Sequence, residues 1–233
     1  MTHFKTIGIL GGLGPAAGVY FHKLLIDLNT EAVTDQDHPP VIHYANSQIE
    51  SRMDYLIRGG PSPIPEIIRS FNVLKAAGAD FAVMICNTAH LFLPQIRPFV
   101  DLKIVSLIDE TAKYVHTHYP HQPIGILATT PTLEHHIYGH IFKEPSLSDQ
   151  NLVMEAIFNP EYGLKRFPSG TTPSIQQLTS VISRLDTPLV LAACTELSPV
   201  LVSTNSYQII DPLKITAEIL LRKAATHNHK LSQ

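Results

Sequence analysis

Two apolar runs in this chain each end in a cysteine, and the 233 residues contain no other cysteine. Residues 81–86 lead into Asn87, and residues 189–194 lead into Thr195. An uninterrupted apolar run of this length is typical of a strand buried on both faces of a parallel sheet. Each thiol is therefore predicted at the carboxyl end of a strand, which is the edge where open α/β sheets bind ligands.

The two cysteine segments belong to a longer internal repeat. The word Ile-Gly-Ile-Leu occurs at 7–10 and again at 124–127, at similar distances ahead of the two cysteines. A third pair of words follows the cysteines, Leu-Ile-Asp at 107–109 and Ile-Ile-Asp at 209–211. Three markers in the same order predict two related halves, because the period is too long for a solenoid.

Apolar runs alternate with helical patterns along the whole chain, which predicts an α/β fold with mainly parallel sheets covered by helices on both faces. The predicted strands are 6–10, 40–45, 81–86, 103–107, 123–128, 188–193 and 207–210. The predicted helices are 16–29, 63–77, 88–97, 109–117, 131–142, 149–158, 173–185, 196–203 and 212–225. We expect a first domain over 1–116, joined by 209–233, a second domain over 117–208, and a site in the cleft between them.

Composition argues against two kinds of partner. The net charge is −3 and no run of Lys and Arg is present, which speaks against a nucleic-acid surface. No apolar stretch reaches the length of a membrane span without charged or turn residues. Two cysteines at predicted strand ends suit reduced thiols better than a disulfide framework, so we expect a cytoplasmic protein.

The first candidate site follows the opening strand. Residues 12–17 fit the loose dinucleotide pattern G-x-G-x-x-A, but the second predicted strand ends near Asn46 without the usual acidic residue. Gly12 is equally suited to a tight turn that brings the backbone close to a neighbour. The helix start after this turn would accept a carboxylate as readily as a phosphate.

The cysteine words suggest thiol chemistry rather than a metal centre. Cys86 and His90 have a spacing that zinc ligands use, but the further ligands a zinc site needs are not evident, and no metal is expected. Two thiols, each before a polar helix start, favour catalysis over simple burial, because a helix N-terminus lowers the pKa of a thiol. Asn87, Thr88 and Thr195 would supply hydrogen-bond donors beside them.

Two cations lie in predicted loops. Arg52 follows the polar segment 46–51, and Lys165 lies in the Gly-containing loop 159–172. A loop cation beyond a strand end binds a carboxylate in some proteins and is simply solvated in others. The residues alone leave both interpretations open for Arg52 and Lys165.

The chain resembles the aspartate/glutamate racemase superfamily, most closely its aspartate racemase branch. The resemblance rests on motifs spread over nearly the whole chain. These are Ile-Gly-Ile-Leu-Gly-Gly-Leu-Gly-Pro at 7–15, Asp-Gln-Asp-His-Pro at 35–39, Gly-Ala-Asp-Phe at 78–81, Cys-Asn-Thr-Ala-His at 86–90, Gly-Ile-Leu-Ala-Thr-Thr at 125–130 and Cys-Thr-Glu-Leu at 194–197. The glutamate branch would show Cys-Thr-His at the second cysteine, where this chain has Cys-Thr-Glu.

The resemblance implies two pseudo-symmetric Rossmann-like domains, a homodimer, no cofactor, and one cysteine from each domain on either side of the substrate Cα. It also implies that Arg52 and Lys165 bind substrate carboxylates. The words around these two residues depart from the family's usual ones, so we expect aspartate as substrate, with glutamate or a broader range also open.

The expected reaction makes D-amino acids from L-amino acids, or the reverse, by two-base proton transfer. The thiolate of Cys86 or Cys194 removes the α-proton, and the other thiol returns a proton to the opposite face. We expect the α-carboxylate to be held by backbone N–H groups and by the side chains of Asn87, Thr88, Thr130 and Thr195. Asn46 and Glu196 are candidate partners for the substrate ammonium.

Two other functions remain open from the sequence. A related isomerase or decarboxylase of a small dicarboxylate would use the same two thiols. A non-catalytic, two-lobed binding protein for small acids would keep the cysteines only as core residues.

Overall fold

The computed structural model describes residues 4–225, and its strands form two sheets in which every strand pair is parallel. The first sheet has the order β2-β1-β3-β4 and the second the order β5-β6-β7. The strands are β1 (Ile7–Gly11), β2 (Val41–Ala45), β3 (Phe81–Met84), β4 (Lys103–Val105), β5 (Ile124–Ala128), β6 (Leu189–Ala193) and β7 (Gln208–Ile210). This architecture confirms the predicted α/β class and its parallel sheets.

Helices connect the strands, as parallel pairing requires. They are α1 (Pro15–Asp27), α2 (Arg52–Arg58), α3 (Ile64–Ala76), α4 (Leu93–Ile96), α5 (Leu107–His118), α6 (Thr130–Glu134), α7 (Leu147–Phe158), α8 (Thr172–Leu185) and α9 (Pro212–Ala224). Short 3-10 segments cover Asp35–Asp37, Thr88–Phe92 and Arg97–Phe99. Side-chain caps fix several helix starts: the hydroxyl of Ser106 accepts a bond from Asp109 N, and that of Ser146 accepts one from Asp149 N.

The internal repeat is visible in the sheets, with one correction. The order β1-β3-β4 of the first sheet matches β5-β6-β7 of the second, so each cysteine follows the central strand of its trio. The third sequence marker was aligned wrongly, because Leu107 and Ile108 open helix α5 whereas Ile209 and Ile210 lie in strand β7. The structural equivalents are β4 with β7.

Two helix predictions were wrong, and one helix was not predicted. Predicted helix 131–142 stops at Glu134, because the chain reverses through a left-handed His136 (φ 44°) and returns to bond the edge of β5 through Lys143. Predicted helix 196–203 is a series of turns. Helix α2 was not predicted, since its seven residues carry no long apolar pattern and are delimited by the Ser51 cap and a left-handed Gly59.

The core joins the two halves. One hydrophobic cluster contains inward-facing residues of both sheets, including Ile9 and Ile126, with helices α1, α5 and α9 packed against it. Strand β7 belongs to the second sheet, while α9 contacts α1 and α5, and Lys5 N donates to Ala224 O. The predicted division into 1–116 with 209–233 and 117–208 remains a prediction, and residues 226–233 lie outside the described range. Over residues 4–225, no helix has the length and hydropathy of a membrane span.

Candidate active site

A cavity of about 280 Å³ lies where the carboxyl ends of both sheets meet. The segments that follow β1, β2 and β3 line it from the first sheet, and those that follow β5 and β6 line it from the second. Its walls are Gly12, Leu13, Pro15, Ser47, Ile49, Ser51, Arg52, Met53, Cys86, Asn87, Thr88, Thr129, Phe158, Lys165, Cys194, Thr195 and Glu196. Eight of the ten predicted site residues are among them, including both cysteines.

Both thiols are free and almost fully enclosed. Cys86 is 8% exposed and lies two residues after the end of β3, and Cys194 is 5% exposed and directly follows β6. They enter the same cavity from different sheets. A small molecule in this cavity therefore has a thiol available from each half of the protein.

The Cys194 thiol donates a hydrogen bond to Glu196 Oε2 at 3.0 Å. Thr195 Oγ1 donates to the same oxygen at 3.1 Å, and the other oxygen of Glu196 forms an ion pair with Lys165 Nζ. Burial and then the neighbouring Glu196 carboxylate raise the pKa of Cys194 well above its ordinary value. The sequence-based expectation of a lowered pKa is therefore wrong for this thiol.

Lys165 and Glu196 stabilise each other's charge. Loss of hydration opposes both charges, but attraction to the Glu196 carboxylate raises the pKa of Lys165, and attraction to Lys165 lowers the pKa of Glu196. Gly14 leaves room for the pair, because a Cβ at that position would stand 2.4 Å from Glu196 Oε1 and 3.2 Å from Lys165 Nζ. The second glycine of the G-x-G word thus has a local packing role.

Two cations meet at one backbone carbonyl. Lys165 Nζ donates to Leu13 O at 3.1 Å, and the Arg52 guanidinium donates to the same oxygen. Arg52 also donates to Glu50 O at 3.0 Å, while its buried Nε has no partner among residues 4–225. The cavity thus holds both predicted cations. Lys165 lies in a loop, as predicted, and is paired with a carboxylate, whereas Arg52 opens helix α2 instead of lying in a loop and is bonded to carbonyls.

The amide of Asn87 is oriented from the opposite half of the chain. The Tyr138 hydroxyl donates to Asn87 Oδ1. Within the described range, the amide nitrogen of Asn87 has no hydrogen-bond partner, although the residue is buried at the cavity wall. Since an unpaired buried donor costs free energy, this amide is suited to a ligand that accepts a hydrogen bond.

Three threonine hydroxyls form a triangle beside the cavity, which Thr88 and Thr129 line. Thr88 Oγ1 lies 3.0 Å from Thr129 Oγ1 and 3.1 Å from Thr132 Oγ1, and the last two are 3.0 Å apart. Thr88 comes from the first half and the other two from the second. The triangle therefore links the cavity walls across the cleft.

His90 supports the Cys86 turn and carries no charge at neutral pH. Its Nδ1 bonds Cys86 O at 2.7 Å, and its Nε2 accepts from Leu107 N at 3.1 Å. Nε2 can accept only when unprotonated, and burial lowers the pKa of His90 to about 4. This histidine therefore fixes the position of the cysteine. Across residues 4–225, no three His, Cys, Asp or Glu side chains are arranged to hold a metal ion.

Two predicted site residues do not reach the cavity. The Asn46 amide donates to Glu66 and, at 2.9 Å, to Ser70 Oγ. The Thr130 hydroxyl accepts a bond from Gln150 Nε2 at 3.1 Å. Gly12 does line the cavity, in a left-handed conformation (φ 91°) that lets it pass close to the Asn46 backbone, so it fits the tight-turn interpretation.

A family profile described as Asp/Glu/Hydantoin racemase matches residues 10–220, which is most of the chain. The chain belongs to the Asp/Glu/hydantoin racemase family. This confirms the family that the sequence motifs predicted, and with it the enzyme class.

Three known proteins are similar to this racemase in sequence or in fold. The broad specificity amino-acid racemase RacX of Bacillus subtilis is 28% identical over 214 residues, covering 84% of this chain and 87% of that protein. The aspartate racemase of Picrophilus torridus superposes with a TM-score of 0.83 at 27% identity, covering 94% of each chain. A glutamate racemase from Campylobacter jejuni has a TM-score of 0.64 at 13% identity over 94% of this chain and 85% of its own, and it shares the fold.

Sequence reasoning missed part of this racemase's cavity wall. Ser47, Ile49 and Ser51 lie in the loop after β2, whose polar composition was a usable signal. Phe158 ends helix α7 and lines the cavity because of the way that helix packs. No local sequence pattern predicts this packing. Glu196 was considered only as a partner for a substrate ammonium, and its bond to Cys194 was not foreseen.

Proposed function

We propose that the protein interconverts the enantiomers of an acidic amino acid, aspartate foremost, through proton transfer by Cys86 and Cys194 without a cofactor. The observation that carries the proposal is the presence of both thiols, from equivalent positions in two related halves, in one cavity that also contains Arg52 and Lys165. The family assignment supports racemisation, and the aspartate racemase fold supports the substrate.

The proposed chemistry needs one thiolate and one thiol. The thiolate takes the α-proton, and the electron pair of the broken C–H bond remains on Cα and its carboxylate. The opposite thiol then donates its proton to the other face of Cα, which leaves a thiolate on that side. Exchange with solvent protons resets the two sulfurs for the next turnover.

The carbanion-like state requires strong stabilisation, because an amino acid α-proton is a very weak acid. The unpartnered amide nitrogen of Asn87 and the hydroxyls of Thr88 and Thr195 are the groups we assign to the α-carboxylate. Donors placed where charge develops are most effective when they are already oriented, and the Tyr138 hydroxyl orients this amide.

The distal carboxylate is assigned to Arg52 and Lys165. Arg52 has a buried Nε without a partner in the described part of the chain, and both side chains reach the same wall through Leu13 O. Binding at a distance from Cα would contribute alignment of the reacting carbon between the two sulfurs.

A broader amino acid range is the second candidate. Apolar side chains occupy part of the wall, namely Leu13, Ile49, Met53 and Phe158. These would accept an uncharged substrate side chain, and the Bacillus subtilis relative is named for broad specificity. A homodimer in the cytoplasm completes the proposal, on the strength of the family resemblance and of the two free thiols.

The deciding experiment is incubation of the purified protein with each L-amino acid in deuterated water. Aspartate should lose optical rotation while deuterium appears at Cα, and added pyridoxal phosphate should not change the rate. Retention of optical activity by every amino acid tested, at high enzyme concentration, would contradict the proposal. Equal rates for aspartate and for apolar amino acids would select the second candidate.

A further inference from the structure

We infer that Glu196 is the proton acceptor for Cys194, and that a substrate carboxylate activates this thiol by displacing Glu196 from Lys165. The inference rests on the proposed racemisation and adds to it a means by which binding generates the thiolate. Glu196 acts through Cys194, so it is a positioning residue.

The Glu196 carboxylate connects the Cys194 thiol to the Lys165 ammonium. Glu196 Oε2 accepts the hydrogen bond of Cys194 Sγ at 3.0 Å, and Glu196 Oε1 pairs with Lys165 Nζ. The Glu196 side chain is only 11% exposed, so water competes little for either bond. The proton of Cys194 therefore already points at the oxygen that would receive it.

The ion pair keeps Cys194 in its thiol form when the cavity is empty. Glu196 stays ionised despite its burial, because Lys165 attracts it and because its carboxylate accepts hydrogen bonds. An ionised carboxylate next to the sulfur disfavours a second negative charge there. The charged or titratable side chains that act on this pair are Lys165, Cys194 and, through Lys165, Cys86.

A substrate carboxylate changes this balance by competing for Lys165. Once the Lys165 ammonium binds the substrate carboxylate, Glu196 loses its counter-ion and becomes a better base. The proton then moves from Cys194 Sγ to Glu196 Oε2: the S–H bond breaks, an O–H bond forms, and the charge of the cavity is unchanged. The negative charge has moved from Glu196 to the sulfur, which is beside the bound Cα.

The mechanism applies to one face of the substrate only. The residue two positions after Cys86 is Thr88, which bonds other threonines, whereas the residue two positions after Cys194 is Glu196. Loss of the Glu196 carboxylate should therefore slow α-proton exchange with solvent more for the enantiomer that Cys194 deprotonates than for the other, while kcat/KM for racemisation falls equally in both directions because the equilibrium constant is one.

The first test is spectroscopic and independent of turnover. In a Cys86→Ser variant, Cys194 is the only cysteine, so thiolate absorbance in the ultraviolet reports it alone. Titration with succinate, a dicarboxylate that cannot be racemised, should increase this absorbance at neutral pH. The double variant Cys86→Ser/Glu196→Gln should show no increase, because the amide keeps the shape of the side chain but cannot accept the proton.

Kinetics of Glu196→Gln supply the second test. We expect kcat to fall at least 100-fold while KM stays the same or decreases, because Lys165 is released for the substrate. Glu110→Gln, which removes a carboxylate near Lys223 outside the cavity, is the matched control and should keep both constants. Glu196→Asp should recover part of kcat.

Three results would overturn the inference: no thiolate increase with succinate, an unchanged kcat in Glu196→Gln, or a raised KM with kcat retained. The last would instead indicate a partner for the substrate ammonium. The proposed function would survive each of them if the wild-type protein racemises aspartate. Conversely, if the wild type racemises nothing, the succinate titration still decides whether Glu196 accepts the Cys194 proton.

Discussion

The two cysteines follow equivalent strands, but their immediate surroundings differ. Two positions after Cys86 stands Thr88, whose neutral hydroxyl joins the threonine triangle across the cleft. Two positions after Cys194 stands Glu196, whose carboxylate receives the thiol hydrogen bond. The repeated scaffold thus places two similar sulfurs while giving them different electrostatic environments, which suits a reaction that needs one acid and one base at a time.

A second pair of positions shows what the two halves share. Four residues after Cys86, His90 bonds Leu107 N at the start of α5. Four residues after Cys194, the Ser198 hydroxyl donates to Asp211 Oδ1 at 2.7 Å, and Asp211 caps α9. Each half therefore connects its cysteine turn to the next strand–helix junction through a side-chain hydrogen bond. The position of this connection is the same in both halves, whereas the side chains that make it differ.

The largest effect should come from replacing either thiol. Cys86→Ser and Cys194→Ser should each reduce racemisation by at least about 10³-fold, since a hydroxyl is a poor acid and base in place of a thiol. Each variant should still exchange the α-proton of one enantiomer with deuterated water, and the two variants should prefer opposite enantiomers. Near-normal racemisation by either variant, measured by polarimetry, would show that the two sulfurs are not partners.

Acid should destabilise the protein through His90, which has no titratable counterpart at Ser198. The folded protein keeps this histidine neutral until its pKa of about 4, whereas the unfolded chain protonates it near 6.5. The unfolded state binds more protons in this window, so the free energy of unfolding should fall by about 3 kcal/mol as pH drops through it. Urea titrations across the window should show this loss.

The variant His90→Asn is the control for that pH dependence. It should be less stable than the wild type at pH 7, because it cannot make both bonds of the imidazole. Its stability should change less between pH 6.5 and pH 4, because the titrating group is gone. An identical slope in the variant would assign the acid sensitivity to other residues.

Thiol reactivity offers a third way to separate the halves. In Cys86→Ser, alkylation of Cys194 by iodoacetamide at pH 7 should be more than about tenfold slower than that of free cysteine, because burial and Glu196 raise the pKa of Cys194. The rate should rise steeply above pH 9. Mass spectrometry of the modified peptide gives the rate, and fast alkylation at pH 7 would mean that Glu196 does not hold the proton in place.

The smallest effect on stability should come from removing the hydrogen bond between Ser198 and Asp211 in the second half. Ser198→Ala should lower the free energy of unfolding by about 1–2 kcal/mol, because Asp211 keeps its bond from Leu213 N but loses a charged hydrogen bond. Ser206→Ala, at an exposed loop position, should change it by less than about 0.5 kcal/mol. Equal chemical denaturation curves for both variants would show that Ser198 contributes nothing to this junction.

Much of the fold was predictable because both faces of β1, β3, β5 and β6 are buried. The runs 81–86 and 189–194 are continuously apolar, and β3 and β6 lie in them. The carboxyl-edge rule then brought Cys86 and Cys194 to one cavity with Arg52 and Lys165. These are consequences of local pattern combined with a general property of parallel sheets.

The remainder depended on contacts between distant segments. Lys143 bonds to the edge of β5 and so ends the helix that the pattern extended to 142. The pairing of Lys165 with Glu196 joins two loops that no periodicity relates. Asn46 follows β2, as predicted, but its amide donates to Ser70 instead of facing the cavity. This direction depends on the packing of α3, which carries Ser70.

The bond from Tyr138 to Asn87 joins the two halves at the amide that we propose as a ligand donor. Tyr138 follows the short helix of the second half, while Asn87 follows the central strand of the first. Any motion that separates the halves would release the amide from its hydroxyl partner at the same moment. Under the proposed binding role of Asn87, opening the cleft to release a product would then also loosen one of the bonds that hold the product.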